Sequence, residues 1–444
     1  MLRKIQMLLQ QKKFIQLHEL LETLNEADLA VYMDELEGKD MILFYRLLSK
    51  EKAVDTFAYL EPDVQERLIQ ALTDSELKEV TDQLYMDDVV DLIEEMPANV
   101  VKRILRSVDS GQRKVINELL NYPPDSAGSM MTIEFVALKE HQSVAEAFAT
   151  IRKHGPNKET IYTCYVLAPG RRLIGIVTVK DLLLSPEDAK ISDIMETSII
   201  SAYTTDDQET VAKKFDKYDF LALPVVDHEN RMVGIITIDD ALDVLQEENT
   251  EDFEKMAAMA PSEDTYFKTG VFMHARKRIM WLLVLMLSST VTGMLTMRYE
   301  HAFEAVPLLI AFYPMLMGTG GNCGSQSSTM IIRGMAMDEI HLKDFFKVLW
   351  KEARVAVIVG TALAALTGIR ILLQYTDAPL ALTVGLALVA TVLISKILGC
   401  VLPMLAKRLK LDPAIMAAPL ISTIVDMCSI FIYFNIATWI MHLS

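Results

Sequence analysis

The stretch Arg172-Leu173-Ile174-Gly175-Ile176-Val177-Thr178-Val179-Lys180-Asp181 is echoed 59 residues later by Arg231-Met232-Val233-Gly234-Ile235-Ile236-Thr237-Ile238-Asp239-Asp240. Each copy is a β-branched run that ends in a threonine with an acid three positions on. That pattern predicts a strand running into a capped helix. Upstream, Met130-Met131-Thr132 is echoed by Met195-Glu196-Thr197. Residues 126–250 are therefore a duplicated α/β domain, each unit reading strand, helix, strand, strand, helix.

To the left of this repeat, residues 1–125 read as helix throughout. Apolar residues recur at spacings of three and four, as in Leu17-Leu20-Leu21-Leu24, Leu77-Val80-Leu84 and Val89-Leu92-Ile93-Met96. Pro62 and Pro97 punctuate the pattern, and Tyr122-Pro123-Pro124 ends it. Short units of this kind predict a superhelical all-α domain that buries apolar stripes between neighbours. Asp87, Asp88, Asp91, Glu94 and Glu95 lie on one such helix, where a solvated face is the plainer reading.

To the right, residues 239–264 hold ten acids against Lys255 alone. Pro261 breaks the chain, and Ser262 is expected to cap a connecting helix through Tyr266, Phe267, Val271 and Phe272, within residues 251–278. Beyond it, residues 279–444 contain apolar runs at about 279–297, 305–332, 353–373, 378–406 and 413–441, each long enough to span a bilayer. The second run is interrupted by Gly318-Thr319-Gly320-Gly321-Asn322-Cys323-Gly324-Ser325-Gln326. Lys and Arg in the successive flanks number three, one, five, one, three and none. This alternation predicts five transmembrane helices, with the N-terminus inside and the C-terminus outside a cytoplasmic membrane.

Charge is divided along the same line. The net charge is −17; residues 1–270 carry −22 and residues 271–444 carry +5. An acidic front half excludes nucleic acid as a partner, because phosphates need positive contacts. It suits divalent cations. The four cysteines form no CxxC pair, and three lie in the apolar half, which argues against a disulfide framework or a zinc site. No nucleophile–base pair appears, and the glycine-rich stretch lacks the lysine of a phosphate loop, so an enzyme is not expected.

Polar residues inside membrane spans are costly and mark function. The last span holds Asp412 at its cytoplasmic start and Asp426 near its middle. On a continuous helix these two would share a face. Ala418, Ser422 and Asp426 follow at spacings of four, a stripe of small residues ending in a carboxylate. The second span offers Asn322 and Gln326, four apart, whose amide oxygens suit the water shell of a hard cation. Lys396 is the alternative partner for Asp426, in a structural ion pair.

The duplicated units resemble a tandem pair of CBS domains, regulatory modules that often dimerise and sometimes bind adenine nucleotides. In that resemblance Asp181 and Asp240 match a position that can hold a ribose, which makes ATP a candidate ligand. The whole chain resembles the MgtE family of magnesium transporters, through Tyr122-Pro123-Pro124-Asp125-Ser126-Ala127-Gly128, Gly320-Gly321-Asn322, and Leu411-Asp412-Pro413-Ala414 with Pro419-Leu420-Ile421-Ser422-Thr423-Ile424-Val425-Asp426. The resemblance implies a homodimer, with Asp426 as the pore carboxylate and Asp412 at the cytoplasmic mouth. It also implies a Mg²⁺ sensor built from Asp87, Asp88 and Asp91 with Asp207, Glu209, Asp219, Asp240, Asp243, Glu248, Glu251 and Asp252. Ala418 stands where relatives often have Asn or another small polar residue, and Met427-Cys428-Ser429 where Val-Thr-Gly is usual. Two other readings compete: a proton-coupled transporter of another solute with Asp426 as relay, and a membrane receptor whose CBS pair senses nucleotide.

Overall fold

The computed structural model describes residues 1–262, 266–267, 269–299, 304–416 and 418–442, with only the backbone described at Ala418. The chain divides into two units, residues 1–245 and 246–444.

Among the described residues the first unit begins with ten helices of eight to ten residues, from α1 (Leu2–Gln10) to α10 (Ser110–Leu119). Helices this short are marginal alone in water. Two of them are capped reciprocally, by Thr73 with Glu76 and by Asp109 with Gln112. Packing supplies the rest. Leu17, Leu21, Phe44, Phe57, Leu77 and Val90 are fully buried in one core that continues into the second CBS unit at Val211, Leu223 and Ile236.

The first CBS unit runs β1 (Ala137–Leu138), α11 (Val144–His154), β2 (Thr163–Leu167), β3 (Leu173–Thr178) and α12 (Val179–Leu184), followed by the one-turn α13 (Ile191–Ile194). The second runs β4 (Ala202–Tyr203), α14 (Gln208–Tyr218), β5 (Ala222–Val226), β6 (Met232–Thr237) and α15 (Ile238–Met256). Both sheets have the first strand parallel to the second and the second antiparallel to the third. The repeat seen in the sequence is thus the same fold built twice. Its two glycines have one job. A Cβ on Gly175 would meet Met195 Sδ at 2.5 Å, and one on Gly234 would meet the Thr132 carbonyl oxygen at 2.5 Å. Backbone bridges Thr132–Ile235 and Ile176–Glu196 bring each CBS unit's leading Met segment onto the last strand of the other.

The second unit contains α16 (Val271–Met297), α17 (Leu308–Ala336), α18 (Phe345–Tyr375), α19 (Ala378–Arg408) and α20 (Ala418–Met441). Among the described residues four segments, Val271–Met297, Leu342–Tyr375, Ala378–Arg408 and Pro413–Met441, are long and apolar enough to cross a membrane. α17 has the length, but its glycines and amides dilute its apolar character. α19 is the packing centre: half of its most apolar window is buried, against 6% for α16.

The glycine-rich stretch dilutes the second apolar run without breaking its helix, since α17 is continuous from Leu308 to Ala336. One expectation changes. Asp412 and Asp426 do not share one continuous helix. Pro413–Met416 is a 3-10 turn, and the α-helix begins at Ala418. Pro413 disfavours the α conformation at the residue before it. The helix expected from Ser262 runs over residues 263–265 and 268, which lie outside the described residues; the Ser262 N–H donates to Glu254 Oε2 (2.6 Å), and the next described helix starts at Val271 after Gly270. Acids Glu263 and Asp264 lie outside the described residues.

Candidate ion path and acidic sensor

The seam between α17 and α20 is built on small residues. A Cβ on Gly320 would meet Val425, Ser429 and Thr391 side chains, and one on Gly324 would meet Ile421. Gly321 stands against Ser422, whose Oγ would lie 3.1 Å from an added Cβ. Close approach of this kind is how small residues work between membrane helices. Val425 and Ile421 are buried in the seam, while Ser422 and Asp426 are half-buried on the adjoining face. Among the described residues the Asp426 carboxylate makes neither hydrogen bond nor ion pair. The side chain of Ala418, the third member of the expected stripe, lies outside the described residues.

The alternative partner, Lys396, is taken elsewhere. Its Nζ donates to Ser327 Oγ (3.0 Å) and lies 3.6 Å from Glu352 Oε2, to which Ser327 Oγ itself donates (2.6 Å). The expected structural pair with Asp426 does not form. Asn322 and Gln326 are exposed on α17 and line a cavity of about 750 Å³, together with Ser325, Ser327, Glu352 and Lys396. Asp426 is not in its wall. Glu352 went unnoticed in the sequence, where it sits among Lys347, Lys351 and Arg354 like any flanking charge.

Asp412 lies just ahead of α20. Its Oδ1 accepts from the Ala414 N–H (2.8 Å), holding the 3-10 turn, and its Oδ2 is 2.7 Å from Lys255 Nζ. The same ammonium reaches Glu251 Oε1 at 2.6 Å. Burial works against the Lys255 charge, but the two carboxylates together raise its pKa well above the usual lysine value.

In the first unit α8 (Met86–Glu95) presents its acids to the start of α15. Asp87 is 5% exposed, and burial followed by the Asp240 charge raises its carboxyl well above the usual range. Burial first, then neighbouring acids, push Asp91 to about 8 and Asp88 to about 6. Asp240 rises to about 7, chiefly by burial and despite its hydrogen bond from Thr237 Oγ1 (2.8 Å). Glu159, which no sequence pattern distinguished, joins them at about 8, raised by burial and then by Asp88 and Asp239. Asp243 is raised less, again by burial and Asp239.

Three further expected sensor acids have local roles on α14. Asp207 caps α14 by accepting from Thr210 N–H (3.2 Å), Glu209 pairs with Lys213 (2.6 Å), and Asp219 closes α14 at φ 54°. Glu248, Glu251 and Asp252 lie in the second unit. Among the described residues no three ligating side chains are gathered into a preformed metal site.

Asp181 spends its carboxylate on the α12 cap, accepting from Thr178 Oγ1 (2.5 Å). A cavity of about 880 Å³ lies beside that cap, lined by Tyr162, Thr178, Lys180, Ser198, Asp219 and Pro224 among others.

Comparison with known proteins agrees with this layout. The MgtE divalent cation transporter pattern matches residues 313–436, the MgtE intracellular N domain residues 24–125, and the CBS domain residues 127–187 and 191–247. The magnesium transporter MgtE of Thermus thermophilus is 36% identical over 95% of this chain and 94% of its own length. That of Bacillus subtilis is 32% identical over 99% of this chain and 97% of its own. A crystal structure of the cytosolic domain of the Mg²⁺ channel MgtE in complex with ATP matches with TM-score 0.52 and 35% identity, covering 55% of this chain and all of that one. Fold and comparisons define a membrane transporter with a helical N domain and a CBS pair ahead of its apolar helices. The chain belongs to the MgtE family.

Proposed function

We propose that this chain carries Mg²⁺ across the cytoplasmic membrane, and that Mg²⁺ on the cytoplasmic side closes it. One observation carries the reading: among the described residues Asp426 is an unpaired, half-buried carboxylate on a membrane-spanning helix, beside a seam of glycine and serine. An anionic group there is costly, and a cation that visits it offsets the cost. Mg²⁺ sheds water reluctantly and is held through one or two carboxylates plus water. Ser422, Asn322 and Gln326 supply neutral oxygens for such a hydrated ion. Ala418 belongs to the same stripe. A proton relay would not call for these additional amides.

The path is read with α17 as a fifth span, which puts the N-terminus inside and the C-terminus outside. Asn322, Gln326 and Thr329 make an exposed polar stripe on α17. Such a stripe does not face lipid, which favours a homodimer or a water-filled path covering it. Uptake of Mg²⁺ into liposomes loaded with a Mg²⁺-sensitive dye tests the reading; absence of flux by the purified full chain overturns it.

The sensor reading rests on the α8–α15 acids. Asp87, Asp88, Asp91, Asp240 and Glu159 approach one another at a cost that a divalent ion removes. Asp243, Asp207, Glu209, Asp219, Glu248, Glu251 and Asp252 would act as outlying, more weakly held positions. A swing from mostly open to mostly closed needs about 5.5 kcal/mol of differential binding, which several weak sites supply jointly. A nucleotide is a second ligand. The cavity beside α12 is within the range of small-molecule sites, and Lys180 would meet phosphate oxygens there. Isothermal titration with ATP tests this, and a Lys180→Ala variant that binds equally well would exclude that lysine.

A further inference from the structure

Lys396 and Glu352 are two charges that the proposed ion path does not use. Both are well buried, with side chains 7% and 16% exposed, and both border the cavity that holds Asn322 and Gln326. Ser327 links them by receiving from the ammonium and donating to the carboxylate. An ammonium has three donors. Among the described residues one donor goes to Ser327 Oγ, while Glu352 at 3.6 Å is a charge partner rather than an acceptor, so donors are left for the cavity.

Such a pair is poorly explained as a source of stability. Desolvating two charges offsets most of their attraction, and an apolar pair of similar volume packs at least as well. What it does accomplish is electrical. Asn322, Ser325 and Gln326 are neutral, so Lys396 and Glu352 are the charged groups in the wall, and their charges cancel.

We propose that Lys396 is a specificity-determining residue for the transported ion: by neutralising Glu352 it keeps the cavity wall at zero net charge. This rests on the reading of Asn322 and Gln326 as part of the cation path. A bare carboxylate in the wall would coordinate divalent ions directly and would favour those that lose water easily. With the carboxylate occupied by an ammonium, ions pass through hydrogen bonds from amides and hydroxyls to their own water. That arrangement rewards the most tightly hydrated divalent ion, which is Mg²⁺ among the common ones. A fixed positive charge without its partner would repel a divalent ion twice as strongly as a monovalent one.

The experiment uses the full chain in liposomes and compares Lys396→Met, Glu352→Gln and the double variant. Lys396→Met leaves one negative charge, and half-saturation for Mg²⁺ should fall about tenfold while Mn²⁺ and Ca²⁺ begin to compete. Glu352→Gln leaves one positive charge, and uptake should drop at least about tenfold. The double variant restores neutrality and should return to near the parent's affinity and ion preference. That recovery also excludes misfolding as the cause of the single-variant effects. If both single variants shift affinity in the same direction, or neither shifts it, the pair is structural and the proposal is overturned. If the parent chain carries no Mg²⁺, the transport reading itself has failed, a result distinct from either.

Discussion

Lys255 Nζ stands 2.7 Å from Asp412 Oδ2, so the last turn of α15 is tied to the loop that leads into α20. The same nitrogen holds Glu251 one turn back on its own helix. α15 carries the exposed Asp239 and the half-buried Asp240 in its first turn and Lys255 in its last. A charge-assisted hydrogen bond of this kind contributes about 1.5–3 kcal/mol when well shielded, and less here, where both side chains are partly exposed.

Breaking the tie should loosen the coupling between internal Mg²⁺ and uptake. In Lys255→Met, uptake at high internal Mg²⁺ should rise roughly fivefold, the equivalent of about 1 kcal/mol, while uptake at low internal Mg²⁺ stays near the parent's. Flux measured in vesicles preloaded with a series of Mg²⁺ concentrations reads both. An unchanged closure curve would show that the tie is ornamental.

Asp426→Asn keeps the shape of the side chain and removes its charge. Mg²⁺ uptake should fall at least about tenfold, or ~1.4 kcal/mol of lost interaction, with assembly and thermal stability preserved. Full uptake by this variant would mean that the carboxylate does not recruit the ion. Asp412→Ala should reduce uptake less, because its carboxylate already serves the Ala414 N–H and Lys255.

The acidic cluster makes a prediction in pH. Asp88 at about 6, Asp240 at about 7, and Asp91 and Glu159 at about 8 all sit above ordinary carboxylates. The packed state therefore holds protons that separated carboxylates would release. Its stability is full below about pH 4, the ordinary carboxylate range, and is lost as pH rises through about 6 to 8. Without Mg²⁺, proteolysis of the linker around Pro123 should be slow at pH 6 and fast at pH 8.5. Added Mg²⁺ should protect mainly at the higher pH. Glu159→Gln should raise the Mg²⁺-free protection at pH 8.5 and shrink the increment that Mg²⁺ adds.

Gly399 on α19 lies against the backbone carbonyl of Gly324 on α17, closer than any added Cβ could tolerate. Gly399→Ala must push the two helices apart, and overpacking of this sort costs about 1–3 kcal/mol. The midpoint of thermal unfolding in detergent should fall by several degrees. Gly293→Ala, where an added Cβ meets nothing within 4 Å, should leave it unchanged.

The duplicated strand–Thr–helix pattern, the helical front half and the apolar runs were legible in the sequence because each rests on local periodicity. A β-branched run, a three-and-four spacing or a capping threonine states its own structure through its neighbours in the chain. So does the placement of Asp426 in an apolar stretch. What the chain order could not state is which distant charge meets which. Lys396 was open to pairing with Asp426 until the fold set it beside Ser327 and Glu352, on two other helices. Glu159 looked like one more surface acid until its loop was laid against α8 and α15, where burial and neighbours raise its carboxyl to about 8. Asp412 was legible as an acid at the start of the last apolar run, but its tie to Lys255 joins residues 157 positions apart. These pairings were decided by tertiary structure, because the energy of a charge depends on its distance from others and on its access to water. Neither quantity is a property of sequence spacing.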